Sequence, residues 1–459
     1  MLTRLKLRNF KSWADTGDIV LRPITGFFGA NSSGKTSLLQ ALLLLKQTAD
    51  SSDRGLALQF GDRNSLVNLG DFRSVVHRHA EESELVISLD WNQPEPFIVK
   101  NPEEPDKQVV KDTQLGLSTR IRTENGGTAR VPGLAVPEIT YRVGEAAFGL
   151  RRKPESRNEH ELFAKGTGYK FLRSPGRVWP LPPPAKCYGF PDQVRAYYQN
   201  AGFLSDLELA FEETLRRVYY LGPLRAYPER TYTWTGAQPS DMGRTGELAV
   251  HAILSSRDRG EKIQLGRGHR QQTLEQFVAD WLKRLGLIAE FRVEAVTKDS
   301  QIFQVKVRKA AAGSETLITD VGFGVSQILP VVVLCFYVPE GSTVILEQPE
   351  IHLHPAVQAG LADVLIDAHR KRNVQVLVES HSEHLLRRLQ RRIAEGQLSK
   401  DQVVFYFCEA KDRGSRLTAL ELDMFGRISN WPAEFFGDEF GELAETHEAI
   451  IRRGRRDAK

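Results

Sequence analysis

Gly29-Ala30-Asn31-Ser32-Ser33-Gly34-Lys35-Thr36 is the stretch on which the fold reading turns, because it satisfies GxxxxGK[ST] at every fixed position. An apolar strand candidate, residues 24–28, enters it, and an apolar helical run, residues 37–45, leaves it. A loop between strand and helix points its N–H groups at a phosphate from a helix N-terminus. Gly29 and Gly34 permit the tight path, and Asn31, Ser32, Ser33 and Ser37 complete the cradle. Lys35 supplies a point charge for β- and γ-phosphates, and the Thr36 hydroxyl can coordinate Mg²⁺. The expected ligand is therefore ATP with Mg²⁺.

Two further strand ends in the C-terminal half fit this loop. Val344-Ile345-Leu346-Glu347-Gln348-Pro349-Glu350 is an apolar strand finishing in carboxylates, as the Mg²⁺-binding segment of a P-loop ATPase does. Glu347 is expected to hold Mg²⁺ through water. Residues 374–378 form a third strand, closed by Glu379-Ser380-His381-Ser382, which puts His381 at a strand's C-terminal end, where α/β sheets bind ligands. Each signal is weak alone, but loop, acidic strand and histidine-tipped strand in this order are far more specific together.

The remaining sequence bounds the setting. At 459 residues with 41% hydrophobic and 26% charged residues, the chain is long enough to bury one or two sizeable cores. Its first ten residues alternate Leu5 and Leu7 with Lys6 and Arg8, an opening strand rather than an export signal. The longest apolar runs, residues 42–45 and 331–338, fall far short of the roughly 20 residues that cross a bilayer. Cys187, Cys335 and Cys408 are widely spaced and form no CxxC pair, which fits a reducing cytoplasm. A formal charge of +4 is too small to mark a dedicated nucleic-acid module.

Texture divides the chain. Patterning runs to about residue 91 and gives way to a stretch carrying Pro94, Pro96, Pro102, Pro105, Pro154, Pro175, Pro180, Pro182, Pro183 and Pro184. These prolines argue against long helices and central strands, so the middle reads as an irregular insertion. Patterning returns at residues 207–224. Residues 274–287 then have helical spacing through Phe277, Trp281 and Leu285, residues 291–296 and 302–307 alternate as strands, and residues 320–324 make a glycine-rich turn.

The motifs carry a family resemblance. Leu7-Arg8-Asn9-Phe10-Lys11-Ser12, the phosphate-binding loop, Gly322-Phe323-Gly324-Val325-Ser326-Gln327, residues 347–355 and residues 379–383 resemble the ABC-type heads of SMC and overcoming-lysogenization-defect ATPases. In that family two heads sandwich two ATPs, and the glycine-rich signature of one head touches the γ-phosphate held by the other. The resemblance implies an α/β head with a mixed sheet and a homo-oligomer built on head-to-head dimers. It makes Gly322, Gly324, Ser326 and Gln327 the signature residues and His381 the switch histidine. Residues 430–437 resemble a domain of unknown function attached to some bacterial ATPases of this group.

Two departures from the family pattern bear on chemistry. The acidic strand usually ends in two consecutive acids, whereas Gln348, an amide that accepts no proton, follows Glu347. Loss of a general base costs about 10²- to 10⁴-fold, so slow turnover is expected, with Gln348 orienting water or Glu350 taking over as base. The chain also ends soon after Cys408, without the Toprim nuclease domain of overcoming-lysogenization-defect proteins, so any nuclease is expected on another chain.

Three local features compete for other roles. His352 and His354, with Glu350 and His381, could be imagined as a zinc site, but that reading leaves Lys35 and the glycines unused. Arg225, in Tyr220-Leu221-Gly222-Pro223-Leu224-Arg225, suits either a phosphate or a structural ion pair. Arg387, Arg388, Arg391 and Arg392 flank an apolar helical stripe, as a solvated face or a phosphate-backbone contact would.

The expected organisation is an ATPase head from residues 1–90 and 216–410, an insertion at 91–215 and a small module at 411–459. The expected function is ATP-gated control of a separate effector, such as a nuclease, in an anti-phage defence system. The alternative is a DNA-maintenance ATPase that clamps duplex directly, although no sustained heptads occur where SMC arms would emerge.

Overall fold

The structure, a computed structural model, describes residues 1–80, 83–100, 108–124, 133–156, 159–264 and 271–432. Its centre is a six-stranded sheet in the order Val218–Leu221, Thr343–Glu347, Gln375–Glu379, Ile24–Gly29, Val403–Lys411 and Gly414–Ala419. The first five strands run parallel and the last returns antiparallel. Parallel strands buried on both faces read as unbroken apolar runs, which is why these were visible in sequence.

The sheet separates two cores, and successive side chains alternate between them. Phe27, Ile345, Leu377 and Tyr406 face one core with the helices Lys35–Asp50 and Phe203–Arg216. Phe28, Val344, Leu346, Val376, Val378 and Phe405 face the other. That second core is closed by the helices Ala249–Asp258, Leu274–Arg284, Phe323–Tyr337, Pro355–Arg372 and Glu383–Ala394. The result is a mixed α/β head.

The phosphate-loop helix is buried almost all round, through Leu38, Leu39, Ala41, Leu42, Leu43, Leu44 and Leu45, because a second sheet covers its outer side. In that antiparallel sheet Leu2–Phe10 is followed by Leu85–Lys100, Gln108–Glu124, Gly133–Val143, Ala146–Arg152 and His160–Lys165. The expectation that prolines keep strands out of the middle is thus corrected. Pro94 and Pro96 lie within Leu85–Lys100, where its register with Gln108–Glu124 breaks between Asn92 and Phe97 and the opening strand has already ended at Leu2↔Trp91. A proline there removes no ladder hydrogen bond.

A small third sheet joins Tyr232–Thr233, Ile302–Arg308, Glu290–Ala295 and Glu315–Leu317. The two strands expected at 291–296 and 302–307 pair antiparallel within it, Ile302–Arg308 at the centre and Glu290–Ala295 at an edge, and the helix expected at 274–287 is Leu274–Arg284. No helix among the described residues is long and apolar enough to cross a membrane. The resemblance at residues 430–437 and the module at 411–459 lie largely outside the described residues.

Candidate functional site

The loop leaves Ile24–Gly29 at the C-terminal edge of the central sheet and enters a helix at Lys35. Three positive φ angles bend it: 136° at Gly29, 58° at Ser32 and 94° at Gly34. Such a path concentrates N–H groups on one side, the concavity that binds anions. Gly34 is required sterically as well, since a Cβ would come within 2.5 Å of Ser12 Oγ and 2.6 Å of Ser415 Oγ. At Gly29 a Cβ would collide with the Cys408 carbonyl. Trp13 Nε1 donates to Gly34 O at 3.1 Å, tying the loop to the second sheet.

Lys35 is buried, and its Nζ donates to Gly29 O at 3.1 Å and Ala30 O at 2.7 Å. Burial lowers its pKa, opposed by the nearby Glu379 and Glu350 carboxylates. Thr36 Oγ1 donates to Glu379 Oε1 at 2.9 Å. Glu379 pairs in register with Glu347 across parallel strands, so both carboxylates stand at the same sheet edge. The sequence motifs assign Glu379 no role of its own; the signal for one is a second apolar strand ending in an acid, immediately before Ser380-His381.

Glu347 Oε1, Glu350 Oε2 and Glu379 Oε2 are buried without hydrogen-bond partners. Burial, and then the Glu379 charge, push the Glu347 carboxyl up to about 7, while Tyr220, Arg225 and Arg244 pull it down. Burial likewise raises Glu350 and Glu379. Glu350 Oε1 accepts from the His381 backbone N–H at 2.7 Å, and burial followed by the Lys35 charge lowers the His381 pKa. Loop, acidic strand, Glu350 and His381 are therefore brought together as the sequence order implied.

Gln348 is half-buried with φ 43°; its N–H donates to Glu379 O at 2.8 Å and its carbonyl accepts from Ile351 N at 3.2 Å. Arg225, 8% exposed, has no hydrogen-bond partner at Nε, Nη1 or Nη2, so the ion pair considered for it does not form among the described residues. Mg²⁺ fits what is present. It keeps much of its water and needs only one or two carboxylates beside substrate phosphates, and Thr36 and the unpartnered Glu347 oxygen supply that set. His352 and His354 do not converge with Glu350: both are exposed, His354 Nδ1 accepts from Ala356 N at 3.3 Å, and His352 packs edge-on against Phe323 at 5.6 Å.

Gly322 caps the helix Phe323–Tyr337, and Gly322 and Phe323 are exposed. Gly324 already belongs to the first helical turn, and Ser326 and Gln327 are buried, with Ser326 Oγ donating to Phe323 O at 2.8 Å. On the basic helix every arginine has an acidic partner: Arg387 with Glu383, Arg388 and Arg392 with Asp363, and Arg391 with Glu395. That pairing favours a solvated face over a phosphate-backbone contact.

Three stretches of the chain match protein-family models. Residues 1–131 match an AAA ATPase domain family. Residues 246–387 match an AAA domain family described with the AbiEii toxin of type IV toxin–antitoxin systems. Residues 398–445 match a family of unknown function, DUF3696. No curated protein matches the chain. Among solved structures, an SMC head bound to the C-terminal winged-helix domain of ScpA is 12% identical, with 92% of this chain and 98% of that one covered at a TM-score of 0.44. The Thermotoga maritima SMC head is 12% identical over 92% and 99% of the chains at 0.38. A Pyrococcus furiosus SMC head with an extended coiled coil, bound to the C-terminal domain of ScpA, is 11% identical over 92% and 96% at 0.42. Two stretches of the chain thus match AAA ATPase-domain families, strands from both stretches meet in one sheet around the phosphate-binding loop, and a match to a family of unknown function follows them.

Proposed function

We propose that the chain binds Mg²⁺–ATP at residues 29–37, hydrolyses it slowly, and uses ATP-dependent association of two heads to gate a separate effector protein. The observation that carries the ATP site is the chain of contacts from Lys35 and Thr36 to Glu379, beside Glu347. In this reading Asn31, Ser32, Ser33 and Ser37 line the phosphate cradle, Thr36 and Glu347 hold Mg²⁺, and Glu379 fixes the Thr36 hydroxyl. Bound Mg²⁺ would neutralise charge on the β- and γ-phosphates. Gln348 orients the attacking water or Glu350 takes its proton, and His381 stands at the same edge.

Gly322 and Gly324 present helix-start N–H groups to the γ-phosphate of a partner head, while buried Ser326 holds that helix start in place through Phe323 O and buried Gln327 follows it on the same helix. We take the head as residues 1–90 and 216–410 with residues 91–215 inserted in it, an insertion whose strands extend the antiparallel sheet that Leu2–Phe10 begins. The match to a domain family described with a toxin–antitoxin system supports a defence setting with an effector on another chain. Binding and phosphate release test the core of this reading. Wild-type chain should bind Mg²⁺–ATP and release phosphate, and Lys35→Ala should lose both by at least about tenfold. Equal nucleotide binding by Lys35→Ala would sink the assignment.

A further inference from the structure

We propose that Arg225 engages the terminal phosphate of ATP from within the same chain and so lets the site tell ATP from ADP. The proposal rests on the ATP reading above and adds a residue outside both ATPase-domain matches. A buried guanidinium is normally paired, because desolvating a charge with nothing to replace water is costly. Arg225 has all three side-chain nitrogens without hydrogen-bond partners, although Glu347 and Glu350 lie close enough to act on its charge.

Its backbone is fixed. Gly222 N donates to Arg244 O at 2.8 Å, and Ala226 N donates to Thr245 O at 2.9 Å, clamping the segment on both sides of Arg225. That segment follows the edge strand Val218–Leu221, which pairs parallel with the acidic strand. The phosphate-binding loop follows Ile24–Gly29, separated from it by the strands that end in Glu347 and Glu379. Arg225 and Lys35 therefore flank the carboxylates from opposite sides, and Glu350 acts on both.

A phosphate chain held by the loop would extend past Glu379 and Glu347 in strand order, and its last phosphate would then lie on the side from which Arg225 approaches. The planar fork suits bidentate contact with phosphate oxygens. ADP, ending one phosphate earlier, does not make this contact.

Equilibrium binding of Mg²⁺–ADP and of a non-hydrolysable Mg²⁺–ATP analogue to wild type, Arg225→Gln and Arg225→Lys tests the assignment. In Arg225→Gln, affinity for the analogue should fall by at least about tenfold while ADP affinity changes less than about twofold. Arg225→Lys should lie between wild type and Arg225→Gln, and it carries the test if Arg225→Gln does not fold, since it keeps the charge. Equal loss for both nucleotides, or no loss for either, overturns the role of Arg225 and leaves the ATP site standing. A wild type that binds neither nucleotide overturns the ATP reading itself, and this proposal with it.

Discussion

At Gln348 the backbone adopts φ 43°, a conformation that non-glycine residues adopt at a cost and that clusters at functional sites. It turns the chain out of the acidic strand so that Glu350 folds back under His381. The proposed function leaves two candidates to act on the attacking water, an amide at the strand end and a buried carboxyl two residues on. If the amide limits hydrolysis, Gln348→Glu should raise steady-state phosphate release about tenfold, equivalent to ~1.4 kcal/mol of barrier. If Glu350 already serves as base, Glu350→Gln should abolish release and Gln348→Glu should change it little; fast release unaffected by either substitution would exclude both. Glu347 offers a pH test. Its carboxyl sits at about 7 when folded, against an ordinary 4.5, so the folded state binds the proton more tightly. This stabilising contribution is complete below about 4.5 and is lost as pH rises through about 7. Above pH 7, without nucleotide, Glu347→Gln should therefore be more stable than wild type by about 1–3 kcal/mol, with the gap closing toward pH 4.5 in thermal unfolding. A gap independent of pH would show that packing, not ionisation, sets it.

The elements differ in how much of themselves they wrote into the sequence. Thr343–Glu347 and Gln375–Glu379 were legible because burial on both faces demands unbroken apolar runs. The loop was legible because each fixed residue answers a local need: φ 94° at Gly34, charge at Lys35, a hydroxyl at Thr36. The antiparallel strands of the middle were legible in part and outweighed. Leu115, Leu117 and Ile121, and Ile139, Tyr141 and Val143, keep period two, but the nearby prolines mask that pattern, and two of them are accommodated only by the register break at residues 92–97. Glu379 and Arg225 could not be ranked from sequence at all. Their significance comes from register and strand order, which place Glu379 opposite Glu347 and Arg225 beyond it, and neither is a property of adjacent residues. The glycine pair at Gly322 and Gly324 was legible in the sequence, but not that Ser326 is engaged within its own helix.

For the whole molecule, the expected event is ATP-driven association of two heads. Leu224 and Tyr227 are 73% and 76% exposed, and Tyr227 packs edge-on against half-exposed Phe323, which in turn packs against His352. Large apolar side chains gathered at a helix start are a surface that association would cover. Covering it with a partner that also brings a γ-phosphate couples nucleotide to assembly, since a ligand shifts an equilibrium only through its different affinity for the two states. ADP lacks the group that would join the heads. Light scattering on the purified chain should therefore report a larger mass with Mg²⁺ and a non-hydrolysable ATP analogue than with ADP or no nucleotide. Lys35→Ala should remain at the smaller mass because it does not hold the analogue. Phe323→Glu should bind the analogue normally and still fail to assemble, because its defect lies in the surface rather than in the phosphate loop. Assembly by Lys35→Ala would show that the loop is not the trigger, and assembly by Phe323→Glu would move the interface away from the signature helix. The same mass with ADP, with the analogue and without nucleotide would remove ATP gating from the account and leave an ATPase whose copies do not change partners with the nucleotide.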